Sequence, residues 1–215
     1  MSHEQTIRVS NKWAGSGWTA IVTTYRGAGL PHLRSLIESN PLADVRISNN
    51  QGTGPKELEW RNCDRALRNW WRGNRDTVIT DRIAVLEHDV LVTCPLPDIY
   101  PKGLSGETVK IQGSEWWWWP ELDHLPDLKA FAVGIAPLAV MFFSREALDA
   151  LIAPEWDAIF EADVFCELRT PTVVAACGFP VEETPLPFVS DLDVEPDRGP
   201  GIYHKIKERV SESEW

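Results

Sequence analysis

Apolar and polar positions along this chain fall into blocks that predict a β–α–β start. TAIVTTY (19–25) is continuous, β-branched and bounded by the turn residues RGAGLP, the pattern of a buried strand. In LPHLRSLIESN (30–40), Leu30, Leu33, Leu36 and Ile37 recur at helical spacing, with Pro31 near the first turn. ADVRISNNQG (43–52) sets Val45 and Ile47 at strand spacing before a polar Asn-Asn-Gln-Gly stop. Strand, helix and strand in that order predict a parallel sheet and an α/β fold, mostly parallel and flanked by helices.

The next block, KELEWRNCDRALRNWWR (56–72), reads as a helix with Trp60, Cys63, Leu67, Trp70 and Trp71 on one face. Asp64, Arg65 and Arg68 fall towards the other. RIAVLEHDVLV (82–92) follows as an apolar strand carrying Glu87, His88 and Asp89 near its C-terminal end. A carboxylate inside a core is costly unless it is paired, hydrogen-bonded or bound to a metal. Either the strand runs into a site there, or its acids hold a cation. In open parallel sheets ligands bind beyond the carboxyl ends of the strands, where the turns at 26–29 and 49–54 also fall.

Beyond residue 95 the pattern changes. Residues 96–130 read as loop-rich, with LPDIYPKG and a block of four tryptophans, Trp116–Trp119. FAVGIAPLAVMFF (131–143) is broken by Gly134 and Pro137 into two strands with a turn, and LAVMFFS (138–144) is the second. Ser144 suits the N-cap of the helix REALDALI. Asp163 suits the cap of a short turn holding Glu167. Thr170 and Pro171 suit the N-cap and first position of a helix closed by Gly178. The acidic, Pro-rich stretch 182–200 reads as loop or lid before GIYHKIKERV.

Composition narrows the partners. The 215 residues fit one α/β domain, and the formal net charge of −11 opposes both a nucleic-acid backbone binder and a polybasic grip on a membrane. An anionic ligand must therefore be held locally, with a bridging metal ion as one means. The four cysteines form no CxxC pair, so the reading is reduced core thiols in a cytoplasmic protein. The N-terminus MSHEQTIRVSNKW is polar and not a signal peptide. The longest apolar run falls short of the ~20 helical residues that span a bilayer.

Glu87 and Asp89 form an acid-x-acid motif whose carboxylates can share one partner on a strand face. Oxygen ligands suit Mg²⁺ or Mn²⁺, completed by water and substrate phosphate. The alternative is an acid pair that caps a helix or bridges to Arg82.

The order β–α–β, amphipathic helix, then apolar strand ending in acid-x-acid resembles the GT-A fold of nucleotide-sugar glycosyltransferases. The resemblance matches their DxD motif to Glu87-His88-Asp89, with Glu in the first place. It implies Asp89 as metal ligand and Glu87 as ribose or metal-water partner. ADVFCELRTP resembles the segment that supplies the base of inverting members, implying Asp163 or Glu167 as catalytic acid–base. GIYHKIK resembles the histidine-bearing end, implying His204 as a further metal ligand, with Lys205 or Lys207 against phosphate. TTYRG matches the first strand and turn of the nucleotide pocket, implying Thr24, Tyr25 and Arg26. The donor side further takes in Arg65 and Asn50, with Asn49 and Asn50 standing where an acid often reads the base. A UDP-sugar is the favoured donor.

The resemblance divides the domain into a nucleotide-sugar half (1–95) and an acceptor half with a C-terminal lid (96–215). Trp116, Trp117, Trp118 and Trp119 suit stacking on an acceptor sugar, with Glu115, Glu121 and Asp123 accepting from its hydroxyls. Their alternative is to pack the loop on the core. The function implied is a metal-dependent glycosyl transfer to a hydroxyl of a glycan or small molecule. A sugar nucleotidyltransferase and a non-catalytic carbohydrate-binding protein are the other readings.

Overall fold

In the computed structural model, residues 17–25, 29–50, 60–136, 139–189 and 199–204 are described, with the backbone alone at 25, 50, 136, 188 and 189. β1 (Thr19–Tyr25), α1 (Leu33–Ser39), β2 (Asp44–Asn50), α2 (Cys63–Asn74) and β3 (Arg82–Glu87) follow the expected order. Then come β4 (Leu91–Val92), β5 (Leu104–Gly106), β6 (Thr108–Ile111), β7 (Val133–Ala136) and β8 (Val140–Ser144). The chain continues through α3 (Arg145–Leu151), α4 (Asp157–Glu161), α5 (Cys166–Ala176), β9 (Val181–Glu183), β10 (Phe188–Val189) and β11 (Ile202–Tyr203).

The main sheet has six strands in the order β2-β1-β3-β8-β5-β9. β1 is parallel to β2 and β3, β5 is parallel to β9, and β8 alone runs against its two neighbours. Alternation along the strands divides two cores between the two faces. Ile21, Ile83, Val85, Met141 and Phe143 turn towards Leu67 and Trp71 of α2 and Leu148 of α3. Ala20, Val22, Ala84, Leu86 and Phe142 turn towards Leu36 of α1 and Ile202 of β11. Phe142 and Phe143 are fully buried on opposite faces, and burial of each contributes roughly 1.5–3 kcal/mol. The mixed, mostly parallel sheet flanked by helices is the α/β architecture that the sequence predicts.

Several local expectations need correction. The polar face of α2 does not meet solvent: Asp64 and Arg68 are buried, because α3 and α5 cover that side. Trp60 is not in the core; α2 begins three residues later, and the indole is 42% exposed. The helix expected from Thr170 already starts at Cys166, so Pro171 lies inside it. Its start is capped by a distant acid rather than by Asp163: the Phe165 N–H donates to Glu121 Oε2 (2.6 Å). The loop-rich stretch 96–130 also carries two short strands: β5 enters the main sheet and β6 pairs antiparallel with β7. β9, Val181–Glu183, extends the sheet into the first two residues of the stretch read as loop or lid.

Other details agree. Ser144 Oγ accepts from the Ala147 N–H (3.2 Å) as the N-cap of α3, and Gly178 closes α5 at φ 84°, a conformation that favours glycine. All four cysteines are free thiols. No helix among the described residues is long and apolar enough to cross a membrane.

Candidate functional site

The candidate site starts where β3 loses its ladder. β3 pairs with β1 as far as Thr23↔Glu87, and the Glu87 N–H donates to the Ala139 carbonyl (3.0 Å). The Val90 N–H then donates to the Glu87 carbonyl (3.2 Å), closing a turn over His88 and Asp89 before β4 resumes. The acid-x-acid motif thus spans a strand end and a turn, not one strand face. Its two carboxylates still converge.

His204 reaches the same place through the chain's other end. β11 pairs antiparallel with β4, Ile202 opposite Val92 and Tyr203 opposite Leu91. Thr93 and Gly201 lock the end of this ladder: the Thr93 N–H donates to the Gly201 carbonyl (2.9 Å) and the Gly201 N–H to Thr93 Oγ1 (3.0 Å). One residue past β11, His204 Nε2 lies 3.0 Å from Glu87 Oε2 and 3.9 Å from Asp89 Oδ1.

Glu87, Asp89 and His204 each offer one ligand atom, all within 4.8 Å of one another. Among the described residues, Asp89 Oδ1 is buried and has no hydrogen-bond partner. Such an oxygen, set against a second carboxylate and an imidazole, makes a donor set that could hold a divalent cation. The structure therefore brings together the three residues expected to hold metal, from segments 115 or more positions apart in the chain.

The remaining expected residues divide. Thr24 is buried in β1, one residue beyond the partner of Glu87, and pairs with Asn49. Tyr25 and Asn50 pair at the same edge. Arg26, Lys205 and Lys207 lie outside the described residues, as do the turn residues 51–54. Arg65 turns away from the cluster: its guanidinium donates to the Ala162 carbonyl (3.1 Å) and lies 3.5 Å from Glu161. Burial, then the neighbouring Arg169, lowers its pKa from the ordinary arginine value.

Glu167 sits half-buried in the first turn of α5. Its charge and that of Glu87 both reach Cys63 at the start of α2. The Cys63 thiol is 3.4 Å from that of Cys166; this contact works to lower its pKa, but burial and the charges of Glu87, Asp64 and Glu167 push it up. Asp163 is set apart, its side chain 86% exposed. His124 Nδ1 donates to the Asp163 carbonyl (2.8 Å), and Arg61 lies 3.8 Å from its carboxylate.

The tryptophan block does not act as a unit. Trp116 lies over β7 where only glycine fits, since a Cβ at Gly134 would run into its ring. Trp116 and Trp119 stack edge-on at 6.2 Å, and both pack against the core with Trp118. Trp117 points outward, 77% exposed. Sequence reasoning missed Arg61, whose guanidinium lies 5.1 Å from the Trp118 ring centroid and 2.6 Å from Glu121. Its placement depends on residues about 60 positions away, so no local pattern marks it.

No family model and no curated protein matches this chain. Among solved structures it is similar to mouse xyloside xylosyltransferase 1 in its apo form, at 10% identity and a TM-score of 0.44, over 87% of this chain and 97% of that one. A likeness this loose carries no function across.

Proposed function

We propose that this protein is a metal-dependent glycosyltransferase that moves a sugar from a nucleoside-diphosphate sugar, a UDP-sugar by preference, to a hydroxyl acceptor. The observation that carries this reading is the convergence of Glu87, Asp89 and His204 at the carboxyl end of β3. The acid-x-acid motif at the end of an apolar strand is what resembles the GT-A glycosyltransferases. In this reading Asp89 and His204 hold Mn²⁺ or Mg²⁺. Glu87 accepts from His204 Nε2 when that nitrogen is protonated, and turns to the ribose or a metal-bound water when it is not. When bound, the cation supplies positive charge against the leaving diphosphate.

The protein's own groups do the rest. The resemblance assigns Thr24, Tyr25, Arg26, Asn50 and Lys205 to the nucleotide side; of these, Thr24 is buried in β1, and Arg26 and Lys205 lie outside the described residues. An inverting reaction needs a base for the acceptor hydroxyl, and Glu167 suits it better than Asp163. Glu167 is half-buried and its charge, like that of Glu87, acts on Cys63, whereas Asp163 faces solvent beside Arg61. The proton of the hydroxyl passes to the Glu167 carboxylate as the new glycosidic bond forms.

The test is thermal unfolding with UDP, with and without Mn²⁺, on the native chain and Asp89→Asn. UDP plus Mn²⁺ at a hundredfold excess over its Kd should stabilise the native chain by about 2.7 kcal/mol. Asp89→Asn should keep the unliganded Tm and lose that response. An unchanged response in the folded variant rules the site out. Release of UDP from a panel of UDP-sugars with acceptors then identifies the transferred group.

A further inference from the structure

Two of the exposed aromatic residues, Trp60 and Trp117, gather about one half-buried partner, Trp118. Trp117 and Trp60, 77% and 42% exposed, flank Trp118 from two sides, at centroid separations of 6.2 and 6.3 Å. Trp118 rests on buried Phe165 at 4.7 Å. The row is built from three segments: the start of α2, the loop after β6 and the start of α5. Exposed aromatic clusters held on a rigid base mark binding surfaces. The base here is rigid, since Trp118 packs on the core and Glu121 both caps α5 and pairs with Arg61 (2.6 Å).

The charges around the row select its occupant. Its cation, Arg61, lies over Trp60 and Trp118 and already faces Glu121 and Asp163. Asp163 remains exposed, so the rim is acidic and acceptor-rich, and a phosphate brought there meets repulsion. A neutral, hydroxyl-rich ring with an apolar C–H face fits instead: its face covers the indoles and its hydroxyls donate to the carboxylates. A relay of contacts leads from the row towards the metal-ligand cluster: the Trp60 carbonyl accepts from Cys166 Sγ (3.6 Å), Cys166 Sγ lies 3.4 Å from Cys63 Sγ, and the charge of Glu87 acts on Cys63.

We infer that Trp60, Trp117 and Trp118 form a carbohydrate-stacking subsite that holds a neutral oligosaccharide acceptor beside the proposed transfer site. This inference rests on the glycosyltransferase reading for the word acceptor, but the binding surface stands apart from it. The surface differs from the four-tryptophan block expected from the sequence. Trp116 and Trp119 leave it for the core, and Trp60 joins it.

The experiment is a titration of the full chain, without metal or nucleotide, by maltohexaose, cellohexaose and chitohexaose, read as tryptophan fluorescence and as indole N–H shifts by NMR. At least one of the three should give a saturable change that moves the Trp60 and Trp117 indole signals. Trp117→Ala and Trp60→Ala should each weaken that binding tenfold or more. Tyr100→Ala, an exposed aromatic that stacks on Arg82 at the opposite end of β3, should not. No saturable change with any of the three, or equal weakening by Tyr100→Ala, overturns the subsite. So does a sugar response confined to indoles other than Trp60, Trp117 and Trp118. A parallel UDP and Mn²⁺ titration separates the two proposals: loss of the metal response leaves the stacking result standing, and the reverse holds as well.

Discussion

Asp64, buried at the start of α2, and Asp89, partly buried just past β3, are held by the protein in opposite ways. Asp64 is saturated. Arg169 donates to it twice (2.6 and 2.9 Å), Thr170 Oγ1 donates at 3.0 Å and the Arg65 N–H at 2.8 Å. The Arg169 guanidinium spends its other donors on the Ala162 carbonyl (2.7 Å) and Asn62 Oδ1 (3.2 Å). Burial opposes its charge, but Asp64 holds its pKa above the ordinary arginine value. Asp89, by contrast, has a buried oxygen without a hydrogen bond among the described residues and a second acid beside it. A carboxylate saturated by its own chain joins helices; one left with unused acceptor capacity has room to accept from a group outside the chain.

The sharpest way to break this comparison is to remove Asp64. Asp64→Ala leaves Arg169 charged and buried without a partner, which costs about 3–5 kcal/mol. For a chain of this length each kcal/mol lowers Tm by roughly 2–4 °C, so a fall of about 10 °C is expected. Calorimetry measures it. Combining Asp64→Leu with Arg169→Met should recover much of the loss, since apolar groups of similar volume often replace a buried ion pair without penalty. A single variant as stable as the native chain would mean that Asp64 is no more structural than Asp89.

His204→Ala tests the other arm. Removing one of the two proposed ligands should weaken Mn²⁺ binding by at least the roughly 10–100-fold seen for lost outer-shell partners. Unfolding without metal should change far less than for Asp64→Ala, because β4–β11 pairing and the Thr93–Gly201 lock remain. Isothermal titration with Mn²⁺ reads the affinity directly, and an unchanged value removes His204 from the site.

The two acids also differ in how far the sequence reveals them. Glu87-His88-Asp89 is conspicuous because polar residues interrupt an apolar strand, and strand ends of parallel sheets are where ligands bind. β1, α1, β2 and β3 are legible for the same reason: each carries its own periodicity and its own turn residues. Asp64 is illegible because its partners are 105 and 106 positions away, and helical spacing gives α2 one apolar face when the fold covers two. Likewise Leu104–Gly106 is too short to show alternation, and it becomes a strand only because β8 and β9 flank it. The start of α5 is fixed by Glu121, more than 40 residues earlier, so Thr170-Pro171 gave a plausible local start in the wrong place. His204 lies between these extremes. Its residue type is visible, but its position depends on the ladder between β4 and β11.

The smallest expected effect concerns a third acid that resembles Asp89 only in part. Glu107, half-buried between β5 and β6, lies near Glu183 of β9. Burial, and then the Glu183 charge, raises its pKa above the ordinary glutamate value. A raised carboxyl pKa means that the folded state binds the proton more tightly than the unfolded chain does. Its stabilising contribution is therefore full below the ordinary glutamate range, near pH 4, and is lost as pH rises through the folded-state pKa. Glu107→Gln should match the native chain at acidic pH and exceed it at pH 7. Screening of a half-exposed charge keeps the gain below about 1 kcal/mol. Paired thermal melts across that range measure it. Repeating them with Mn²⁺ sharpens the comparison: among the described residues, Glu107 and Glu183 have no third ligand close enough to complete a cluster. The gap between variant and native chain should then be the same with metal as without. If Mn²⁺ closes it, two neighbouring acids suffice to bind the ion, and the convergence at Glu87, Asp89 and His204 loses its distinction.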